Sequence, residues 1–146
     1  MISIVTTTIN VPFFLKGLIR NLNIYNNLKK TNIIVIGDKK TPSETEDYVK
    51  KYKKKLDIRY LSISQQEKYF SSNIDKKNFI NFFPYNSGSR KMIGNMIAAL
   101  EGAEGCIMID DDNFILDKTD FLKFHKRINN KISTKILSSS TGWFNV

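Results

Sequence analysis

Residues Ile2 to Thr8 are almost all Ile, Val, Ser and Thr, a composition that suits a strand. Pro12 follows, and Phe14, Leu15, Leu18, Ile19 and Leu22 then recur at spacings of three and four, which predicts a helix with one apolar face. From Asn32 to Gly37 (NIIVIG) the chain is nearly continuously apolar, the signature of a parallel strand covered on both faces, and Asp38 falls at its carboxyl end. In Thr41-Pro42-Ser43-Glu44, Thr41 can cap a helix, Pro42 suits its first position and Glu44 can bond back to the cap. That helix is predicted to run to about Lys55 and to bury Tyr48, Val49 and Tyr52.

Ile58 to Ile63 (IRYLSI) reads as a third strand, and Ser64 to Tyr85, which has no clean period, as a long loop with a short helix. The clearest helix spans Ser89 to Glu101: Met92, Ile93, Met96, Ile97 and Leu100 form one stripe, and Gly102 stands at the stop. Gly105 to Ile109 is then a strand that delivers Asp110, Asp111 and Asp112 to its carboxyl end. Asp117 is read as the cap of a helix carrying Phe121, Phe124 and Ile128, with a last strand beginning at Ile136-Leu137. Strand and helix alternate throughout, so the fold class is α/β with a mainly parallel, doubly wound sheet. Ligands bind beyond the carboxyl ends of such strands. Polar residues stand at three of those ends: Thr6 to Asn10, Asp38 to Lys40, and Asp110 to Asn113.

Composition refines the picture. The chain has 146 residues, 41% of them apolar, enough for one buried core, and it is read as a single domain. A formal charge of +9 suggests nucleic acid, but 19 of the 23 basic residues are Lys, and the Lys50 to Lys55 run is read as a solvated helical face. Cys106, the one cysteine, is expected to be a small core residue, which excludes a disulfide framework within the chain. No apolar stretch approaches the roughly 20 residues that span a bilayer, so a cytoplasmic protein is expected. His125, the one histidine, has no nucleophile or ligand pattern around it and is assigned no catalytic role.

Three adjacent aspartates after a buried strand repel one another, by roughly 4 kcal/mol for two charges about 4 Å apart at an effective dielectric near 20. Either they form a solvated turn, or a cation neutralises them. Mg²⁺ or Mn²⁺ takes one or two carboxylates and fills its shell with water and phosphate oxygens, so a diphosphate ligand suits this position. Arg90 and Lys91 open the helix leading to the triplet, and two cations at a helix N-terminus suit the same anion.

Gly37-Asp38-Lys39-Lys40-Thr41-Pro42, Tyr60-Leu61-Ser62 with Gln66 close behind, Pro84 through Gly94 (PYNSGSRKMIG) and Asp110-Asp111-Asp112-Asn113 resemble, in order, the motifs of the STELLO family of glycosyltransferase-like proteins. A more distant likeness is to the reversibly glycosylated polypeptides, which include UDP-arabinopyranose mutases. The resemblance implies a GT-A fold, a Rossmann-like three-layer α/β/α arrangement, of which this chain carries the nucleotide-binding half. By that likeness the triplet is a DxD motif: Asp110 would face the ribose or the metal, Asp112 would bind the metal, and Asp111 would lie at the nucleotide sugar. Asp38 and Lys40 would sit near the base or ribose, and Thr6, Thr7 and Asn10 beside the nucleotide. Arg90 and Lys91 would stabilise the leaving diphosphate. The implied function is transfer of a sugar from a nucleotide-diphosphate donor, UDP-sugar favoured, with Mn²⁺ or Mg²⁺ and an unassigned catalytic base. A partner chain or oligomer would complete the acceptor site, because the sequence stops soon after the predicted last strand, at Trp143-Phe144-Asn145-Val146. The alternative is a non-catalytic nucleotide-sugar-binding or assembly module. A sugar-1-phosphate nucleotidyltransferase is disfavoured by the lack of a Gly-rich loop after the first strand, and a dehalogenase-type phosphatase by Thr6-Thr7-Thr8 where its Asp-x-Asp would stand.

Overall fold

The chain's computed structural model describes residues 1–71, 74–123 and 125, with the side chains of 74–77 left aside. In chain order the elements are β1 (Ile2–Thr8), α1 (Leu15–Ile24), β2 (Thr31–Gly37), α2 (Glu44–Lys50), β3 (Asp57–Leu61), α3 (Ile63–Phe70), α4 (Ile74–Asn81), α5 (Lys91–Leu100) and β4 (Gly105–Met108). The strands form a four-stranded sheet in the order β3-β2-β1-β4. All three pairings are parallel: β1 with β2 from Ile2↔Thr31 to Thr8↔Gly37, β1 with β4 from Ile2↔Gly105 to Val5↔Met108, and β2 with β3 from Asn32↔Asp57 to Ile36↔Leu61.

Every residue of β2 is buried, because it lies between two strands and under helices on both faces. Alternation along the strands feeds two cores. Ile4, Ile33, Val35, Ile58, Ile107 and Ile109 meet α1 and Val49 of α2 on one face. Val5, Ile34 and Ile36 meet Phe70, Ile80, Ile93 and Ile97 of α3, α4 and α5 on the other. The molecule is thus a three-layer, Rossmann-like α/β/α fold. Helix α5 lies so close to β1 that a Cβ on Gly94 would collide with Val5 Cγ1 and come within 3.1 Å of Ile36 Cγ1. Gly102 ends α5 with φ of +77°, the left-handed position that glycine occupies without strain.

Several local readings of the sequence are corrected. The capping box at Thr41 does not form: α2 starts at Glu44 with no side-chain cap and stops at Lys50, and the Thr41 hydroxyl works elsewhere. The third strand ends at Leu61 because Ser62 caps α3 instead, accepting from Gln65 N while Gln65 Oε1 accepts from Ser62 N. The segment read as a long loop with a short helix holds two helices, α3 and α4. Asp117 caps no helix among the described residues: its carboxylate lies 3.1 Å from Arg20 Nε, and only 117–118 and 121–123 of the segment 117–123 are turns. Cys106 is exposed, since among the described residues β4 pairs with β1 alone and its α5-side positions, Cys106 and Met108, are left uncovered, while Ile107 faces the core. Phe124, Ile128, the strand predicted at Ile136-Leu137 and the pair Trp143-Phe144 lie outside the described residues.

Candidate functional site

Strand β1 is followed by β2 on one side and has β4 on the other, so the order reverses between β1 and β4. A crevice beyond the carboxyl ends at such a switch point is where doubly wound sheets receive ligands. The register decides what faces it. Val5 pairs with Met108, and Ile109 N continues the ladder to Val5 O at 3.0 Å, which brings Thr8 level with Asp111. The Thr8 hydroxyl lies 2.6 Å from Asp111 Oδ2 and 2.7 Å from Asn10 O, and it accepts from Asn10 N at 3.0 Å. One hydroxyl therefore ties the loop after β1 to the triplet.

The three aspartates are not left to repel. Asp110 takes the Lys91 ammonium, Asp111 takes Thr8, and Asp112 Oδ1 accepts from Asn113 Nδ2 at 3.1 Å. A tight turn, Asn113 N donating to Asp110 O at 3.2 Å, holds the group together. The cation that neutralises the cluster here is thus a lysine of the chain's own, carried on the first residue of α5. Its side chain is 19% exposed and that of Asp110 60%, so the pair lies at the rim. Among the described residues no three His, Cys, Asp or Glu side chains converge as a ready-made metal cage. The donors at this edge are all oxygens, which fits a hard divalent ion held by one or two carboxylates and completed by phosphate.

The second strand end is built differently. Asp38 is buried, and its carboxylate accepts from Lys39 N at 2.7 Å and from Asn86 N at 2.6 Å. Arg90 is buried beside it, Nε standing 3.9 Å from Asp38 Oδ2 without a hydrogen bond of its own. The guanidinium donates to Gln66 Oε1 at 2.6 Å and to Phe83 O at 3.1 Å, and Gln66 Nε2 in turn donates to Gly37 O and Leu61 O, both at 2.8 Å. The Tyr85 ring takes two cations, Arg90 at 4.6 Å and Lys39 at 3.9 Å from its centre. Thr41 closes the gap to β1: its hydroxyl accepts from Asp38 N and donates to Thr8 O.

The residues singled out in the sequence therefore divide. Asn10, Lys91, Asp110 and Asp111 are brought together at the switch point, Asp112 and Lys40 are exposed beside strand ends, and Asp38 and Arg90 are closed into a buried network. Arg90 does not present its charge as a diphosphate site at a helix N-terminus, because the fold spends it on Asp38, Gln66 and Phe83 O. Thr6 is fully buried with its hydroxyl on Thr7 O, and the Thr7 hydroxyl donates to Ile36 O, so both serve the sheet. Sequence reasoning did not single out Thr8, and the Asp38–Arg90–Gln66 contact was also missed. Both depend on strand register and on a contact between distant segments, and no local pattern encodes either.

No family model matches the chain. Protein Ycf2 of Marchantia polymorpha is similar to it, 33% identical over 141 residues. The match takes in 84% of this chain but 7% of that protein, so the chain spans a small part of the relative it resembles.

Proposed function

We propose that the crevice between β1 and β4 binds a nucleotide-diphosphate sugar, UDP-sugar favoured, and that the chain is the donor half of a metal-dependent glycosyltransferase. The supporting observation is the tie between Thr8 and Asp111 at the switch point, with the Lys91 ammonium one residue away on Asp110. Lys91 would turn from Asp110 toward the diphosphate and meet the charge that grows on it as the sugar leaves. Asp111, its carboxylate fixed by Thr8, would accept from sugar or ribose hydroxyls. Asp110 and Asp112 are the residues that would hold Mg²⁺ or Mn²⁺, an ion that would supply charge neutralisation at the phosphate oxygens. Asp38 and Arg90 would act as positioning residues, holding the turn at Asn86 against the same edge.

A second reading, a binding or assembly module without turnover, is favoured by the burial of Arg90, which removes one of the two cations that the leaving group would use. Thermal shift tests the donor site. A ligand at about 100 times its dissociation constant adds about 2.7 kcal/mol, or roughly 5–10 °C for a domain of this size. UDP with Mn²⁺ is expected to raise the melting temperature, and Asp112→Ala and Lys91→Met to abolish the rise. A rise unchanged in both variants would remove the triplet from the site. Release of free sugar from UDP-sugar separates the two readings, since the binding module gives none.

A further inference from the structure

The exposed face of α1 has a second feature, unconnected with the nucleotide proposal. Lys16, Ile19, Arg20 and Asn23 follow one another at helical spacing and, with Leu28, Tyr52 and Lys55, line a hollow of about 700 Å³. Asn23 and Leu28 also line an adjoining hollow of about 410 Å³, whose other walls are Asn26, Lys29 and Lys30. The two hollows share Asn23 and Leu28 and form a trough that runs from α1 past its C-terminal end onto the turn at 28–30. Its floor is apolar, from the half-buried Leu28 and Tyr52 side chains over the core residue Ile19, and its rim is cationic. Arg20 pairs with Asp117. Among the described residues no carboxylate lies within ion-pair distance of Lys16, Lys29, Lys30 or Lys55.

We infer that this trough docks an acidic amphipathic helix of a partner protein. An apolar floor between cationic walls complements a helix whose apolar stripe, at i, i+3, i+4 and i+7, is flanked by carboxylates. The charge would steer and orient the partner, and the floor would hold it. Nucleic acid fits less well. Binding a single strand calls for open aromatic faces on which bases stack, whereas Tyr52 is half-buried, set edge-on to Tyr48 at 5.6 Å and 72°, with its hydroxyl turned to that of Tyr48. The remaining lining side chains are aliphatic, amide or cationic.

The test uses fluorescence anisotropy with the full chain at about 0.15 M salt, where long-range charge is screened beyond roughly 8 Å. Three labelled probes are compared: a Leu/Glu peptide patterned as an amphipathic helix, a peptide of the same composition in scrambled order, and a single-stranded oligonucleotide. The patterned peptide is expected to bind at least about tenfold more tightly than either other probe. The Lys16→Glu/Lys55→Glu double variant, which replaces exposed side chains only, should weaken it by at least about tenfold with an unchanged far-UV spectrum. Leu28→Gln should weaken the patterned peptide and leave the scrambled one alone. Equal binding of the two peptides, undiminished binding by the double variant, or tighter binding of the oligonucleotide would each overturn the inference.

Discussion

Arg90→Met asks whether the carboxyl edge of the sheet rests on a buried charge network. Arg90 is 2% exposed and Asp38 6%. Methionine keeps most of the aliphatic stem and deletes the guanidinium, which leaves Gln66 Oε1 and Phe83 O without their donors. Each orphaned acceptor costs about 1–3 kcal/mol. Asp38 loses its cation but keeps two amide donors, Lys39 N and Asn86 N, and its ion-pair separation of 3.9 Å is already long. The total is therefore placed at about 3 kcal/mol, the low end for breaking a buried pair, or roughly 6–12 °C in melting temperature. Urea unfolding followed by far-UV circular dichroism measures it, with Asp38→Asn and the double variant completing a cycle. A coupling of about 1–2 kcal/mol between the two positions is expected. A cost for Arg90→Met below about 0.5 kcal/mol, or strict additivity in the cycle, would refute the network as a support of the edge.

Further outcomes follow from other contacts. Gly94→Ala would gain about 1 kcal/mol of helix propensity, but its methyl meets Val5 and Ile36, so a net loss of about 1–2 kcal/mol is expected in urea unfolding. Ser62→Ala removes the cap of α3 and should cost about 1 kcal/mol by the same measurement, with helix content falling first around 63–70. At Glu101, burial pushes the carboxyl up, but hydrogen bonds from Arg59 and Tyr69 and the Arg59 charge outweigh it and hold the group below its ordinary value. Its stabilisation is thus present above the ordinary carboxylate range and lost as pH falls through the lowered value. The stability difference between the wild type and Glu101→Gln should be constant near neutrality and vanish on acidification, and a difference that grows in acid would contradict this sign.

What the sequence revealed followed from period. The continuous run Asn32 to Gly37 and the stripe Met92 to Leu100 announced a buried parallel strand and a helix, and both elements lie where expected, although the buried face of the helix is Ile93, Gly94, Ile97 and Ala98, with Met92 and Leu100 exposed. Caps were harder, because Thr41-Pro42-Ser43-Glu44 and Ser62 to Gln65 carry equally good cap chemistry. The first hydroxyl was claimed by Asp38 N and Thr8 O, so only the second capped a helix. At the candidate site the triplet was visible as three carboxylates after a strand. Its partners were not, since Lys91 is 19 residues away and Thr8 is 103 residues from Asp111. Arg90 and Lys91 look alike as neighbouring cations, yet successive residues at a helix start point about 100° apart, which sends the first inward to Asp38 and the second to the rim.

The central claim, a nucleotide diphosphate seated where β1 and β4 part, is tested most directly by amide chemical shifts during titration with UDP and Mg²⁺. The account predicts saturable shifts at Asn10, Lys91 and Asp110 to Asn113, with the amides of Lys16 to Asn23 unmoved. Shifts confined to other surfaces, or none at millimolar UDP, would contradict it.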